Sequence, residues 1–442
     1  MRILYFILYI VLPYALRVFY PRVKVVNSPK EFRGRTIYVS NHASSFMDPL
    51  VVATFRRPIV FFMTRSDVFN KKTQPILWAS HMLPIYREQD GEDTKQRNEE
   101  VFKKCTQILS HGRNLLLFSE GFTDDTFIRR LKPVKKGAIR IGFGTLEEIN
   151  WEKKVYVSAV GCNYSNPGQM RTDILISTSK KICLNDFKEE YLENPNKVVT
   201  LITKRVEEMM KEQITHVENK DNAPFHEHIM MITRKGMNPD NFDRSISLEK
   251  RWRYSQNLAN WMNAQDFENN EELTELKEET DNYFKLLKRF KIQEHHLFWK
   301  KSNPSGSRMK EILMLLILFP FVIIGFFHCA LPYFLVKGFV EKSFRRKVFW
   351  SSVKLILGMI SIAVFNIPFI FMFYYFIYPS WLLAIAYFFT IGLTGLAAYM
   401  WFKYLKEFKI KALINKMDLS KLFKKRDELE AKINKCVPTS FD

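Results

Sequence analysis

A histidine and an aspartate that could act together as a general base lie near the N-terminus, at His42 and Asp48. Histidine exchanges protons near neutral pH, and a neighbouring carboxylate fixes which ring nitrogen carries the proton. Six residues of α-helix would turn the second side chain about 240° away from the first, so the pair must straddle a turn. With Asp48 as N-cap, a helix is predicted to begin at Pro49.

Two serines, Ser44 and Ser45, lie between the pair, but the Gly-x-Ser-x-Gly elbow that exposes a nucleophilic serine is absent. We therefore expect His42 to take a proton from a substrate hydroxyl. The alternative interpretation is a loop histidine beside a capping aspartate. The spacing alone is compatible with both.

The elements that must position this pair follow an α/β pattern over residues 22–215, where short apolar runs alternate with amphipathic helices. Strands are predicted at residues 36–40, 59–63, 115–118 and 155–160. A helix is predicted over residues 93–110, ended by Gly112.

Polar residues follow two further apolar runs. Arg87 follows residues 83–86, and Glu120 with Gly121 follow residues 115–118. Strand ends that meet at one edge of an α/β sheet bind ligands. An arginine suits a phosphate and a glutamate suits a glycerol hydroxyl, although each residue alone is also compatible with a surface turn.

Taken in order, these runs resemble the four motifs of the glycerol-3-phosphate and lysophosphatidate acyltransferase superfamily. The motifs are Asn41-His42 with Asp48, then Arg87, then Phe118-Ser119-Glu120-Gly121, then residues 157–164. The resemblance covers residues from about 22 to 215 and implies an α/β fold with a mixed sheet flanked by helices.

The same resemblance implies roles for single residues. His42 would be the catalytic base and Asp48 its partner. The substrate-binding residues would be Asn41, Arg87, Glu120, Gly121, Lys135 and Lys136. Residues 160–161 would line a wall of the site.

Several positions depart from the commoner motifs. Five residues separate His42 from Asp48 instead of four, and this spacing, with the run 131–138, resembles the branch that acylates glycerol 3-phosphate or dihydroxyacetone phosphate. Ser119 and Ala159 stand where prolines are usual. Residues 122–123 replace the usual Thr-Arg, which removes a cation. We expect Lys135, Lys136 and Arg140 to contact substrate phosphates in its place, with a solvated basic helix face as the alternative.

The composition favours an anionic partner, because 67 Lys and Arg against 46 Asp and Glu give a net charge of +21. Long apolar tracts favour membrane lipids as that partner, and no nucleic-acid-binding motif is recognisable. The cysteines are odd in number and scattered, which indicates a reducing compartment and argues against a structural zinc site. They are Cys105, Cys162, Cys183, Cys329 and Cys436.

Residues 1–21 are predicted to form an N-terminal membrane anchor, with a signal peptide as the alternative. Residues 216–300 are polar and helical. A seven-residue rhythm over residues 273–290 predicts a helical hairpin packed on the catalytic domain. The pairs His226/His228 and His295/His296 are interpreted as surface histidines rather than metal ligands.

Residues 301–402 are predicted to be a membrane region. Residues 355–378 and 381–402 would form a transmembrane hairpin with both basic flanks in the cytoplasm. Residues 312–336, interrupted by Pro320, Gly325 and Pro332, would then be re-entrant or lie in the interface, so that both ends face the cytoplasm. Residues 403–442 would be a basic helical tail, lying on lipid or in solvent.

The resulting hypothesis is an integral membrane enzyme whose catalytic domain faces the cytoplasm. It would transfer a fatty acyl chain from acyl-CoA or acyl-carrier protein to a hydroxyl of glycerol 3-phosphate in phospholipid synthesis, with no metal or other cofactor. One alternative acceptor is lysophosphatidate or another lysophospholipid. The alternative from another class is an inactive membrane-remodelling scaffold of the same fold.

Overall fold

An eight-stranded sheet carries the candidate site in this computed structural model, which describes residues 3–31, 34–55, 59–86, 94–121 and 123–438. The strands are β1 (Arg22–Val26), β2 (Thr36–Ser40), β3 (Val60–Arg65), β4 (Met82–Ile85), β5 (Asn114–Leu117), β6 (Tyr156–Tyr164), β7 (Asp173–Thr178) and β8 (Ile182–Cys183).

The sheet is mixed, as predicted. Its order is β1-β7-β6-β2-β5-β3-β4, with β8 paired to β6. Strand β2 lies centrally and runs parallel to both β5 and β6, whereas β6 pairs antiparallel with β7. Every residue of β2 is buried, because strands flank both of its edges. Such strands read as continuous apolar runs, which is why β2 was predicted with its correct bounds.

Strands β1, β7 and β8 were not predicted. Strand β7 is wholly buried, yet it begins with Asp173 and carries serine and threonine, so its sequence does not read as apolar. The Asp173 carboxylate is paired with Arg22 at 2.6 Å and with Arg251 at 2.8 Å. These partners lie far away in sequence and make the buried charge acceptable.

Fifteen α-helices are present among the described residues. They are α1 (Ile3–Phe19), α2 (Met47–Phe55), α3 (Gln74–Ala79), α4 (Thr94–Ser110), α5 (Gly137–Glu148), α6 (Lys188–Glu193), α7 (Pro195–Gln213), α8 (Ala223–Thr233), α9 (Leu248–Asn263), α10 (Glu271–Arg289), α11 (Glu294–Ser302), α12 (Met309–Ser343), α13 (Trp350–Met372), α14 (Trp381–Ile414) and α15 (Ser420–Cys436).

The chain forms two compact units. The first contains residues 1–223 and 244–264, and the second contains residues 224–243 and 265–439. In the first unit the core lies between the sheet and helices that include α5 and α7. Helix α1 is apolar but, at 17 residues, shorter than the long apolar helices of the second unit.

Three helical segments of the second unit are long and apolar enough to cross a membrane: Met309–Ser343, Lys347–Ile377 and Trp381–Ile414. The first contains residues 312–336, and α12 is one uninterrupted helix through both of its prolines. The re-entrant or interfacial placement of these residues stays a prediction. Pro332 has no N–H for the carbonyl of His328, and Asn366 Nδ2 of α13 donates to that oxygen at 3.1 Å instead. The carbonyl that proline leaves without a helical donor is therefore satisfied by the next helix.

The seven-residue rhythm of residues 273–290 corresponds to a buried stripe on α10. Within the second unit this helix packs against α15, part of the region predicted to be a lipid-bound or solvated tail. Lys432 pairs with Glu279 at 2.7 Å across the two helices. The prediction of surface histidines is wrong for His226 and His296, which are both buried.

Candidate active site

The catalytic pair predicted from the sequence lies just beyond the carboxyl end of β2. His42 Nδ1 is 2.9 Å from Asp48 Oδ2, and 21% of the histidine side chain is exposed while the aspartate is fully buried. Ser45, between them, has a φ of 50°, so the loop makes the tight turn that the spacing required. Because Asp48 accepts the Nδ1 proton, Nε2 keeps its lone pair and can act as a base.

Asp48 is held by three hydrogen-bond donors. Oδ2 accepts from His42 Nδ1 and from the backbone N–H of Ser44 at 2.9 Å, and Oδ1 accepts from the Tyr164 hydroxyl at 2.7 Å. The predicted N-cap is wrong, since α2 begins at Met47 and places Asp48 in its first turn. The carboxylate points back into the loop because its donors lie there and on β6.

Asn41 connects the loop to β6. Its Nδ2 donates to the carbonyl of Cys162 at 3.1 Å, and its Oδ1 accepts from the N–H of Cys162 at 2.8 Å. The side-chain amide thus extends the parallel pairing of β2 with β6 by one step beyond Ser40 and Val160. Both ends of the amide are used to fix the position of His42.

Glu120 lies in the turn just after β5, the other neighbour of β2. Its Oε1 accepts from the backbone N–H of His42 at 3.1 Å. Burial raises the pKa of Glu120 to about 8, although the hydrogen bond from His42 and the charge of Lys132 both act to lower it. The residues that follow β2 and β5, His42 and Glu120, therefore lie in contact, as predicted for adjacent parallel strands.

Of the two lysines predicted to bind substrate, Lys135 lies against Gly121 and Lys136 does not point toward it. Gly121 has a φ of 80°, and a Cβ added there would lie 2.9 Å from Lys135 Nζ. Glycine thus allows both the backbone conformation and the close approach of that ammonium. Lys136 instead donates to Thr200 Oγ1 of α7 at 2.8 Å, on an exposed surface. Arg140 lies in a groove lined also by Glu99 and Lys103 of α4.

Two residues near the base were not singled out from the sequence. Tyr164 belongs to the fourth motif-like run, but nothing in its spacing showed that it reaches Asp48. Lys132 Nζ lies 3.1 Å from Asp124 Oδ2 and 3.9 Å from Glu120 Oε2. Its place in the basic run 132–136 was the only signal available.

Arg87, the predicted phosphate contact, lies outside the described residues.

A group with metal-ligand chemistry lies in the second unit, where donor atoms of His295, His296 and Glu407 are within 4.8 Å of one another. His296 Nδ1 accepts the backbone N–H of Gln293 at 3.0 Å, so its proton is on Nε2 and points to Glu407 at 3.2 Å. A metal-bound histidine ordinarily donates its second nitrogen instead. The hydrogen bonds of a helix start therefore account for His296.

A family model and a solved structure are similar to parts of this chain. Residues 22–160 match the family model described as Acyltransferase. No curated protein sequence matches the chain. Among solved structures, the 1-acyl-sn-glycerophosphate (LPA) acyltransferase PlsC from Thermotoga maritima is similar over 46% of this chain and 79% of that chain, with 18% identity and a TM-score of 0.32.

The matched residues run from the start of β1 into β6. They include His42, Asp48 and Glu120, which the sheet brings together. They also include Lys135 and Lys136. The partners that fix the geometry of the base from β6, such as Tyr164, lie just beyond the match. Residues 22–160 are thus similar to an acyltransferase domain, in a chain that also has three helices long and apolar enough to cross a membrane.

Proposed function

We propose that the protein transfers a fatty acyl chain from an acyl thioester, acyl-CoA or acyl-carrier protein, to a hydroxyl of glycerol 3-phosphate. The observation that carries this proposal is the His42–Asp48 pair, 2.9 Å apart at the end of the central strand. A buried carboxylate that orients a partly exposed imidazole is the arrangement that a general base requires.

In the proposed reaction, His42 Nε2 removes the proton of the acceptor hydroxyl as its oxygen attacks the thioester carbonyl. Asp48 accepts the Nδ1 proton throughout and stabilises the imidazolium that forms. The tetrahedral intermediate then expels the thiolate, which takes the proton from His42. An oxygen ester and a free thiol are the products, and the base is restored.

The choice of acceptor rests on charge and on sequence. The Lys135 ammonium lies against Gly121, the residue that follows Glu120. A phosphate on the acceptor would meet this cation, while Glu120 is placed to bind a hydroxyl. The five-residue spacing between His42 and Asp48 favours glycerol 3-phosphate over a lysophospholipid, through the resemblance given above.

We also propose that the catalytic domain faces the cytoplasm. Asn415 Nδ2 donates to the carbonyl of Gly306 at 2.8 Å, and Lys411 pairs with Glu311 at 2.7 Å, so the last turns of α14 lie beside the start of α12. The chain therefore enters and leaves the apolar bundle at one end. Residues 300–310 and 403–416 at that end carry nine Lys and Arg, against six in residues 337–354.

The acceptor is tested with purified protein and radiolabelled acyl-CoA, with acyl-carrier protein as a second donor. Glycerol 3-phosphate and lysophosphatidate are supplied separately. We expect label in lysophosphatidate when glycerol 3-phosphate is the acceptor. Transfer to lysophosphatidate alone would overturn the choice of acceptor, and transfer to neither from both donors would overturn the proposed activity.

A further inference from the structure

Lys132 holds a covered positive charge beside the candidate base. Its side chain is only 12% exposed, and its ammonium lies 3.1 Å from Asp124 Oδ2. Asp124 itself is 43% exposed. Most lysines on a protein surface extend into solvent, so a lysine folded inward toward a motif residue is unusual.

Glu120 connects this lysine to the base. One carboxyl oxygen accepts from the backbone N–H of His42 at 3.1 Å, and the other lies 3.9 Å from Lys132 Nζ. The ammonium is therefore one carboxyl group away from the loop that holds the imidazole. A second ammonium, that of Lys135, lies against Gly121. A Cβ added to Gly121 would be 2.9 Å from Lys135 Nζ.

Two carboxyl groups close to Lys132 differ in their environment. Burial raises the pKa of Glu120 to about 8, so this carboxyl is largely protonated and neutral at pH 7. Asp124 is in direct contact with Lys132 and is half-exposed on the loop that follows β5. An exposed carboxylate exchanges readily for another anion, because such pairs are weak.

We propose that Lys132 binds the phosphate of the acyl acceptor and that Asp124 occupies this position until the acceptor binds. This inference rests on the proposed function and adds a specificity-determining residue to it. Phosphate carries more charge and more acceptor oxygens than a carboxylate, so it displaces Asp124 from the ammonium. Displacement places the acceptor hydroxyls next to Glu120 and His42.

The inference is tested with Lys132→Met and Asp124→Asn, with Lys104→Met as a control for the loss of one charge on an exposed face of α4. KM and kcat are measured for glycerol 3-phosphate and, separately, KM for the acyl donor. Lys132→Met should raise the KM for glycerol 3-phosphate tenfold or more while leaving the donor KM and the control unchanged. Asp124→Asn should lower the KM for glycerol 3-phosphate several-fold, because it removes the competing anion.

A phosphate-free acceptor separates binding from folding. Lys132→Met should lose the preference for glycerol 3-phosphate over glycerol, whereas a purely structural lysine would lower the use of both acceptors equally. An unchanged KM in Lys132→Met, or a raised KM in Asp124→Asn, would overturn the inference.

A direct binding measurement keeps the inference testable even if turnover is absent. Calorimetric titration of the wild-type protein with glycerol 3-phosphate should show binding that Lys132→Met weakens and Asp124→Asn strengthens. Equal binding by the wild type and Lys132→Met would overturn the role of the lysine. Absent turnover together with lysine-dependent binding would instead contradict only the proposed acyl transfer.

Discussion

At the scale of single residues, the buried Asp48 is the point on which the candidate base depends. A carboxylate without solvent must have its oxygens satisfied by donors, and Asp48 has three. Two of them, His42 and the Ser44 backbone, share one oxygen. The Tyr164 hydroxyl alone binds the other at 2.7 Å, which makes Tyr164 a positioning residue for the pair.

Replacing Tyr164 with phenylalanine should lower kcat roughly 10- to 100-fold, the usual effect of removing a hydrogen bond to a charged group. The substrate KM should change little. Kinetics over pH 5–9 measure both effects.

Tyr191→Phe is the matched control, because the Tyr191 hydroxyl of α6 also donates to a carboxylate, that of Glu147 on α5, at 3.1 Å. It should leave kcat and the pH profile unchanged. A Tyr164→Phe variant that behaves like this control would show that the hydroxyl only packs.

Residue types and order were sufficient to predict His42, Asp48 and Glu120, since each follows a predicted strand end. Side-chain direction was not predictable. Lys135 and Lys136 were both predicted to contact substrate phosphates, yet Lys136 reaches away to Thr200 while Lys135 lies against Gly121. Lys132, which was not singled out, approaches Glu120. Tyr164, 116 residues from Asp48 along the chain, can be related to it only by the pairing of β6 with β2.

At the scale of elements, β6 is positioned by a close approach of the last residue of α7, Gln213. A Cβ on Gly161 would lie 1.9 Å from the carbonyl oxygen of Gln213. That oxygen also accepts from Asn163 Nδ2 at 2.9 Å and from Ser177 Oγ at 2.7 Å. The segment is thus bonded to both β6 and β7, and only glycine leaves room for it.

Gly161→Ala should therefore reduce the free energy of unfolding by about 2–3 kcal/mol, the usual range for overpacking a buried site. Thermal unfolding in detergent measures the change. Gly144→Ala is the control, since a Cβ there meets nothing within 4 Å and lies inside α5, where alanine is favoured over glycine. If both variants unfold at the wild-type temperature, the close approach at Gly161 is not rigid.

A buried ion pair joins helices of the second unit. Arg426 of α15 lies 2.6 Å from Glu294 of α11 and donates to the carbonyl of Ile232 of α8 at 3.1 Å. Tyr283 of α10 donates to the same glutamate. Four helices thus meet at the Arg426–Glu294 pair.

Arg426→Met should destabilise this unit by about 3–5 kcal/mol, because Glu294 is left buried without its cation. Limited proteolysis should then cut between α10 and α15 faster than in the wild type. Lys424→Met removes an exposed charge from the same helix and should have no effect. Equal cleavage of the two variants would mean that packing alone holds α15.

Element types were predictable where one period dominated. The apolar run of β2 and the seven-residue rhythm of α10 both correspond to observed elements. The partner of α10 was not predictable, because a buried stripe shows that something packs on it without showing what. The continuity of α12 through Pro332 was not predictable for a similar reason, since the compensating donor Asn366 belongs to another helix.

At the scale of the whole molecule, three apolar helices are long enough to cross a membrane, yet the start of α12 and the end of α14 lie together. The number of complete crossings must then be even. Glu311 and Glu341 mark the two ends of α12, thirty residues or about 45 Å apart, which exceeds the hydrocarbon core of a bilayer. With apolar side chains exposed along its length, α12 is expected to cross.

Single cysteines at Ser305, Arg345 and Lys416, on a background without the five native cysteines, test this topology with an impermeant maleimide in sealed vesicles. Positions 305 and 416 should react from one face and position 345 from the other. Reaction of all three from the same face would support the interfacial or re-entrant placement of residues 312–336 and contradict a crossing α12.

Sequence alone predicted the membrane region and the separate α/β domain, because long apolar tracts and alternating short runs differ in length and period. The basic segments that flank the apolar helices are visible in the sequence, but the sequence does not show which of these segments lie side by side. The ion pair of Lys411 with Glu311, a hundred residues apart, supplies that information.

The most direct test of the central claim is the rate of acyl transfer from radiolabelled acyl-CoA to glycerol 3-phosphate by wild-type protein and by His42→Ala, in the same lipid vesicles. If His42 is the base, the variant should fold and insert normally and lose activity by about 100-fold or more. A correctly inserted His42→Ala protein that transfers acyl chains at a near-wild-type rate would contradict the account.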